Sequence, residues 1–266
     1  MEQPLWIGGP PAAGKTSVAV SLARRHGLRW YGSDTRTWEH RDRALANGSD
    51  AAQRFESLSP EERWSKPPSE LVAMSLHRER LQMILDDVRA LPERPLVVAE
   101  GTPITPAGVA TGTIDANRAL WLIPTRELQE RRLLANGVGA GQARLYQALR
   151  DLVEQEAEEQ RAPVLRLDGI VGVEGVVAEV EARFAEALAV GPGAATLEER
   201  QVLLRESNLS IVGQVRGYFA RPWANGDANL SVLEFVCECG DPRCTETVRL
   251  TVDAAAGAPV TAHASR

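Results

Sequence analysis

An octet near the start of the chain has the residue types and spacing of a phosphate-binding loop. Residues 9–16 read GPPAAGKT, which fits G-x-x-x-x-G-K-[ST]. Glycines let the backbone curl so that its N–H groups point at a phosphate, and the following helix adds the positive end of its dipole. Lys15 and Lys66 are the two lysines among 30 basic residues. A compact ammonium fits inside such a ring of amides, whereas the wider guanidinium of arginine does not.

Residues 9–17 are therefore the candidates for nucleotide binding. Lys15 is expected between the outer phosphates, and the Thr16 hydroxyl is expected to ligate Mg²⁺. A glycine-rich turn in front of a helix is the alternative interpretation. The predicted set consists of Gly9, Pro10, Pro11, Ala12, Ala13, Gly14, Lys15, Thr16 and Ser17.

Two carboxylates follow predicted strands and could act beside this loop. Asp34, in WYGSDTR, could accept the proton of a substrate hydroxyl and orient it for in-line attack on a γ-phosphate. An Asx turn that ends the strand is the alternative for Asp34. Glu100 ends the apolar run PLVVA, where it could hold Mg²⁺ through water or polarise the attacking group. Aspartate is expected there in many nucleotide hydrolases, and a buried glutamate is costly without a partner.

Three arginines in PTRELQERRLL could form a lid over the transferring phosphoryl group. They are Arg126, Arg131 and Arg132, and Arg131 is the best single candidate. The alternative is a solvated pair between Glu127 and Arg131, which stand four positions apart.

The three cysteines of the chain lie within eight residues, in the pattern C-x-C-x4-C. Gly, Asp and Pro between thiolates are typical of a zinc knuckle, and a reducing compartment favours a metal site over a disulfide. Cys237, Cys239 and Cys244 leave one tetrahedral position open, for which we propose His263, with Asp241 as a weaker candidate. Such a closed site would be structural. Unmetallated thiols in a hairpin, or a redox pair, are the alternatives.

Strands alternate with helices over the first 190 residues, which predicts an α/β fold with helices on both faces of a parallel sheet. The carboxyl ends of the strands then share one edge, where Gly8, Asp34, Glu100, Thr125 and Gly169 are expected. Strands are predicted at 4–7, 28–32, 95–99, 119–123 and 163–167, and helices at about 14–26, 81–91, 126–135, 141–160 and 174–189.

The remaining segments have other compositions. Residues 38–70 are polar, include Trp38 and Trp64, and are expected to shape an acceptor pocket, with a helix beginning at Ser59-Pro60. The stretch GPGAAT at 191–196 is predicted to link a nucleotide-binding domain, 1–190, to a small zinc-knuckle-like α+β tail, 197–266.

These motifs together resemble the small P-loop kinases, a group that contains shikimate, gluconate, nucleoside and antibiotic phosphotransferases. The matching stretches are GGPPAAGKTSVAVSLA, YGSD, VVAEGT and LIPTRELQERRL. With the tail CECGDPRC, the chain is also similar to uncharacterised actinobacterial-type ATP-binding proteins. The resemblance implies a three-layer P-loop NTPase fold, ATP and Mg²⁺ as cofactors, and phosphoryl transfer to a small hydroxylated acceptor. It also implies that Gly9, Gly14, Lys15 and Thr16 bind phosphates, that Asp34 faces the acceptor, that Glu100 works with the metal, and that Asp168-Gly169 lies near the adenine.

Two other functions stay open. GPPAAGKTSVAVSLA and GSDTR also resemble the opening of tRNA dimethylallyltransferases, but the match fades after residue 36. A nucleotide-sensing module, in which the loop reports occupancy to the tail without turnover, is the second alternative.

Bulk composition restricts the partners. The net charge of −6 disfavours nucleic acid, which is bound mainly by clustered positive charge. MEQPLWIGG lacks the features of a signal peptide, and no apolar run approaches the ~20 residues that span a bilayer, so we predict a cytoplasmic protein without a membrane partner. A nucleotide and a small molecule are the expected partners, and a protein partner of the tail stays open.

Overall fold

The computed structural model describes residues 3–263, and a parallel sheet of five strands lies at its centre. The strands are β1 (Leu5–Gly8), β2 (Arg29–Gly32), β3 (Val97–Glu100), β4 (Ala119–Pro124) and β5 (Val164–Leu167). Their order is β2-β3-β1-β4-β5. Glu100 at the end of β3 pairs in register with Ile7 of β1 and Gly32 of β2. The predicted mixed α/β fold with a parallel sheet is confirmed.

Helices cover both faces of this sheet, as in the predicted three layers. Side chains alternate along β1. Leu5 and Ile7 therefore pack on one face with α1 (Lys15–His26) and α10 (Val173–Arg183), while Trp6 packs on the other with α6 (Glu79–Ala90) and α9 (Ala140–Glu159). The helices are α1 (Lys15–His26), α2 (Thr37–Ala46), α3 (Asp50–Ser57), α4 (Pro60–Trp64), α5 (Pro68–Met74), α6 (Glu79–Ala90), α7 (Ala107–Ala110), α8 (Arg126–Ala135), α9 (Ala140–Glu159), α10 (Val173–Arg183), α11 (Ala185–Val190), α12 (Leu197–Phe219) and α13 (Val252–Gly257).

The single helix predicted at 174–189 is wrong in one respect, because two helices occupy this range. Phe184 separates α10 from α11 with φ −99° and ψ 10°, outside helical geometry. Its ring is 1 % exposed and packs into the core beneath the sheet. The break therefore lets a large side chain point inward.

The polar segment 38–70 folds into helices, although its sequence predicts only one helix start. That start is correct: Ser59 caps α4, with Pro60 in the first turn and Glu62 completing a capping box. The helices α2 to α5 are short, and each buries only one to three residues. Phe55, for example, packs with residues of α5 and α9. Periodicity over so few turns is too weak to be recognised in a sequence.

The segment after residue 190 packs closely on the first part of the chain. The amide of Leu96 donates to the carbonyl of Pro192 at 2.7 Å, and the amide of Ala194 donates to that of Gly27 at 2.7 Å. Helix α12 lies against β2 and α2, and it also packs on an antiparallel hairpin of β6 (Val232–Val236) and β7 (Thr247–Thr251). The division at 191–196 stays a prediction. Within residues 3–263, every helix is too short or too polar to cross a membrane.

Candidate nucleotide and acceptor site

The loop between β1 and α1 has the backbone geometry of an anion cradle. Gly9 has φ +133°, and a Cβ there would lie 2.2 Å from the carbonyl oxygen of Leu122. Gly14, with φ 89°, is the N-cap of α1 and provides no side-chain cap. The first amides of α1 therefore have neither an intrahelical acceptor nor a cap, which is the arrangement that binds anions.

The ammonium of Lys15 lies at the mouth of this loop. The residue is 5 % exposed, and Nζ donates to the carbonyl of Pro10 at 2.9 Å and to Oγ1 of Thr102 at 3.3 Å. Both acceptors are neutral oxygens, so the charge is left to attract an anion. Thr102 was not predicted as a site residue, although its position directly after Glu100-Gly101, at the end of a buried strand, could have indicated it.

Thr16 and Glu100 bring a hydroxyl and a carboxylate together beside the loop. Thr16 Oγ1 donates to Glu100 Oε1 at 3.0 Å, while Oε2 of Glu100 is buried with no hydrogen-bond partner. Burial and then the charge of Asp34 raise the pKa of Glu100 to about 7. A buried, unpartnered carboxylate oxygen beside a hydroxyl is the oxygen-donor chemistry that suits Mg²⁺, so these residues fit the ion implied by the resemblance.

A chain of hydrogen bonds holds the turn that carries Asp34. Arg80 Nη2 donates to the carbonyl of Ser33 at 2.5 Å, and its Nε donates to Nδ1 of His40 at 3.2 Å. Nε2 of His40 in turn donates to Asp87 at 2.7 Å. The Asp34 residue itself is exposed and lines the cavity next to the loop. Asp34 was predicted from the sequence but Arg80 was not, because no motif links Arg80 to Ser33, which lies 47 positions away.

The arginines of α8 differ in where they lie. Arg132 Nη1 donates to the carbonyl of Ala12 in the phosphate loop at 2.9 Å. Arg131 is exposed and lies over Gly169, where a Cβ would stand 2.7 Å from its Nη2. The arginine of α8 that contacts the loop in this structure is thus Arg132, next in sequence to the preferred candidate. The role of Arg131 stays a prediction.

A cavity of about 690 Å³ opens beside the loop. Pro11, Asp34 and Thr102 line it at the phosphate-loop end. Trp38 and Trp64, from the segment 38–70, line it farther out, together with side chains of α9 and α12. Its volume is within the roughly 300–1,000 Å³ common for small-molecule sites.

The cysteine cluster forms a separate candidate metal centre. The ligand atoms of Cys237, Cys239, Cys244 and His263 all lie within 4.8 Å of one another. Cys244 Sγ lies 3.4 Å from His263 Nε2, close to the edge of about 3.6 Å that tetrahedral Zn–S and Zn–N bonds imply. Three thiols and an imidazole are a donor set that fits Zn²⁺. The weaker candidate, Asp241, instead accepts from the amide two residues on.

One side chain joins this cluster to the phosphate-loop helix. Arg24 of α1 is 8 % exposed, and its guanidinium donates to the carbonyls of Cys244 and Cys237. The helix that begins at Lys15 is therefore tied near its other end to the cysteine turn. No motif marks this contact in the sequence.

The chain is similar to several solved structures of kinases at low sequence identity. No protein-family model and no curated protein matches the chain. Among solved structures, it is similar to shikimate kinase from Aquifex aeolicus vf5, with 18 % identity, a TM-score of 0.43 and coverage of 71 % of this chain and 99 % of that one. A sugar kinase from Janibacter sp. HTCC2649 has 19 % identity and a TM-score of 0.39, covering 72 % and 99 %. Shikimate kinase from Acinetobacter baumannii, in complex with shikimate, has 18 % identity and a TM-score of 0.40, covering 68 % and 92 %.

Proposed function

We propose that the chain binds MgATP and transfers the γ-phosphoryl group to the hydroxyl of a small acceptor. The observation that carries this proposal is the pairing of Thr16 with Glu100 beside the Lys15 loop, which leaves one buried carboxylate oxygen without a partner. In a purely structural site, burying that oxygen without a hydrogen bond would destabilise the fold with no compensating interaction. A divalent cation beside the phosphates would be coordinated by this oxygen.

Each residue then has a defined role. The loop amides and Lys15 hold the nucleotide phosphates, while Thr16 and Glu100 hold Mg²⁺, directly or through water. ATP supplies the phosphoryl group. Asp34 orients the acceptor hydroxyl in the adjoining cavity and takes its proton. The guanidinium of Arg132, or of Arg131 after a lid movement, balances charge that develops on the transferring group.

ADP release from MgATP tests this function against a panel of sugars, nucleosides, hydroxy acids and antibiotics. Asp34→Asn should remove acceptor-dependent turnover while leaving nucleotide binding intact. Asp86→Asn is the matched control, because Asp86 is exposed on α6, where it contacts Gln82, Arg43 and Arg89. Turnover that persists in Asp34→Asn would exclude Asp34 as the base. Dimethylallyl diphosphate with a tRNA substrate belongs in the same panel as the test of the transferase alternative.

A second candidate function is nucleotide sensing, which the Arg24 contact favours. Because Arg24 lies on the helix that follows the loop, a change at the loop could reach the cysteine turn through that helix. Hydrogen exchange at residues 232–251 should then differ between the free and the MgATP-bound chain. The difference should shrink in Arg24→Gln but not in Arg25→Gln, since Arg25 pairs with glutamates at the surface. Nucleotide binding without turnover or altered exchange would count against both functions.

We further propose that Cys237, Cys239, Cys244 and His263 bind a structural Zn²⁺. Four protein ligands close the coordination sphere, so the ion would have no open position for catalysis. It would instead stabilise a hairpin whose own apolar cluster is small, because metal binding and folding are coupled in such units.

A further inference from the structure

The cavity beside Asp34 has an excess of positive charge. Three arginines that line it, Arg41, Arg63 and Arg80, are each at most 5 % exposed. Their guanidiniums donate to backbone carbonyl oxygens and, from Arg80, to Nδ1 of His40, but not to carboxylates. Among the described residues that line the cavity, Asp34 is the one carboxylate. Buried charges are normally paired, so this wall suits a ligand that brings negative charge.

Of the three arginines, Arg41 lacks hydrogen-bond acceptors most clearly. Its Nη2 donates to the carbonyl of Met74 at 3.0 Å, but Nε and Nη1 are buried without a hydrogen-bond partner. The nearest carboxylate oxygen, on Glu56, lies 3.9 Å from Nε. Burial lowers the pKa of Arg41 to about 10; the charge of Glu56 acts against this shift, and those of Arg80 and Arg63 add to it. The side chain stays charged at neutral pH, and the three N–H groups on Nε and Nη1 have no hydrogen-bond acceptor.

His77 is a second buried polar group without a partner among the residues that line the cavity. The ring is 3 % exposed, lines the cavity, and has no partner at either nitrogen. Burial and the neighbouring charges of Arg78 and Arg80 lower its pKa to about 4, so the imidazole is neutral. A neutral imidazole offers one donor and one acceptor, and a buried group of this kind ordinarily has a partner.

An aromatic cluster adjoins these arginines and comes partly from the C-terminal segment. Tyr218 and Trp223 lie 5.6 Å apart between ring centroids and 5.6 and 5.7 Å from Trp38. The ring of Phe55 has the guanidinium of Arg41 3.7 Å from its centroid. Aromatic faces and stacked guanidiniums bind flat rings.

We propose that this cavity takes an acceptor that combines a flat ring with an oxyanion, such as a carboxylate, sulfonate or phosphate. The oxyanion binds at Arg41, and the ring lies against Tyr218, Trp223 and Trp38. The segment 197–263 thus supplies part of the specificity of a site whose reacting end is in the first part of the chain. This inference rests on the proposed function in one respect: the hydroxyl of the acceptor that receives the phosphoryl group is assigned to the end of the cavity at Asp34.

Two dyes of nearly equal shape test the charge preference. 8-Anilinonaphthalene-1-sulfonate carries an oxyanion, and N-phenyl-1-naphthylamine is its neutral counterpart. Fluorescence titration should show one site that binds the sulfonate at least about tenfold more tightly, the gain expected for hydrogen bonds to a charged group. Arg41→Gln should remove this advantage and leave the neutral dye unchanged. Arg89→Gln, at an exposed position of α6, is the control and should change neither affinity.

Tyr218→Ala tests the contribution of the C-terminal segment. Tyr218 is 39 % exposed, so its truncation should be tolerated by the fold. Both dyes should bind several-fold more weakly, because a stacking face is lost. Equal affinities of the two dyes for the wild type, or an unchanged affinity of both in Tyr218→Ala, would overturn the proposal.

A measurement on the unmodified protein decides the matter if Arg41→Gln does not fold. 4-(Hydroxymethyl)benzoate should displace the sulfonate dye, and benzyl alcohol at the same concentration should not. Displacement by both or by neither contradicts the proposal. MgADP binding separates the two proposals: its absence alongside intact dye preference defeats only the nucleotide function, and its presence without dye preference defeats only the anionic cavity.

Discussion

Thr16 and Glu100 stand 84 positions apart in the sequence, yet the hydroxyl of one donates to the carboxylate of the other at 3.0 Å. The contact forms because β1 and β3 are neighbours in the sheet and Glu100 is in register with Ile7. Helix α1 begins just beyond the end of β1, which brings its second residue to the end of β3.

Lys15→Arg is expected to bind MgADP about as poorly as Lys15→Met. Nζ of Lys15 fits between Pro10 and Thr102, and a planar guanidinium is too wide for that position. Loss of a charge-assisted contact of this kind costs roughly 1.5–3 kcal/mol, or about a ten- to hundredfold weaker affinity. Calorimetric titration measures the change, with Lys66→Arg, at a half-buried position outside the phosphate loop, as the control. Affinity restored by arginine would contradict this account of the loop.

Glu100→Gln is expected to stabilise the nucleotide- and Mg²⁺-free protein more at pH 8 than at pH 5. The folded pKa of about 7 lies above the ordinary value, so the stability that goes with the bound proton is present at low pH and is lost as pH rises through 7. Glutamine carries no such proton, and the advantage over wild type should grow by roughly 3 kcal/mol across this window.

Urea unfolding of both proteins at the two pH values measures this difference. Glu93→Gln, at an exposed position, is the control and should show no such dependence on pH. A stability difference between Glu100→Gln and wild type that is the same at pH 5 and pH 8 would show that Glu100 is not protonated in the free protein.

The purified chain is expected to contain one Zn²⁺, bound by the cysteine cluster. Cys244→Ser should abolish binding, because Cys244 is buried within the set, and should lower the melting temperature of the hairpin. Asp241→Asn should retain the metal, since the Asp241 carboxylate bonds within its own turn. Elemental analysis and thermal unfolding with and without chelator provide the readouts. A metal-free protein of unchanged thermal stability would exclude the site.

Arg132→Gln is expected to weaken nucleotide binding or turnover more than Arg131→Gln. In this structure only Arg132 of the two donates to the phosphate loop, through the carbonyl of Ala12. The two adjacent substitutions are matched in chemistry, so they separate the loop contact from the general loss of one positive charge. A larger effect of Arg131→Gln on kcat than on nucleotide affinity would instead support a lid that closes during turnover.

Local patterns allowed much of the first part of the chain to be predicted. The strands are apolar runs that end at glycines or polar residues, and α1 ends at Gly27, whose φ of 65° favours glycine. The segment 38–70 was not predicted as helices, because its short helices bury few residues each and depend on contacts with α9. The part of the cavity wall that α12 provides could not be predicted from the sequence either, because Tyr218 and Trp38 come into contact only in the folded chain.

The sequence by itself determined the phosphate loop, the carboxylates at the strand ends and the cysteine cluster. These features depend on residues that are adjacent or regularly spaced, and their chemistry can be recognised locally. Only the tertiary structure decided which groups meet: Thr16 with Glu100, Arg24 with the cysteine turn, and Arg41 with the ring of Phe55 in the cavity wall. The physical reason is that such contacts join positions far apart in the chain, and burial leaves their polar atoms with no partners other than one another or a ligand.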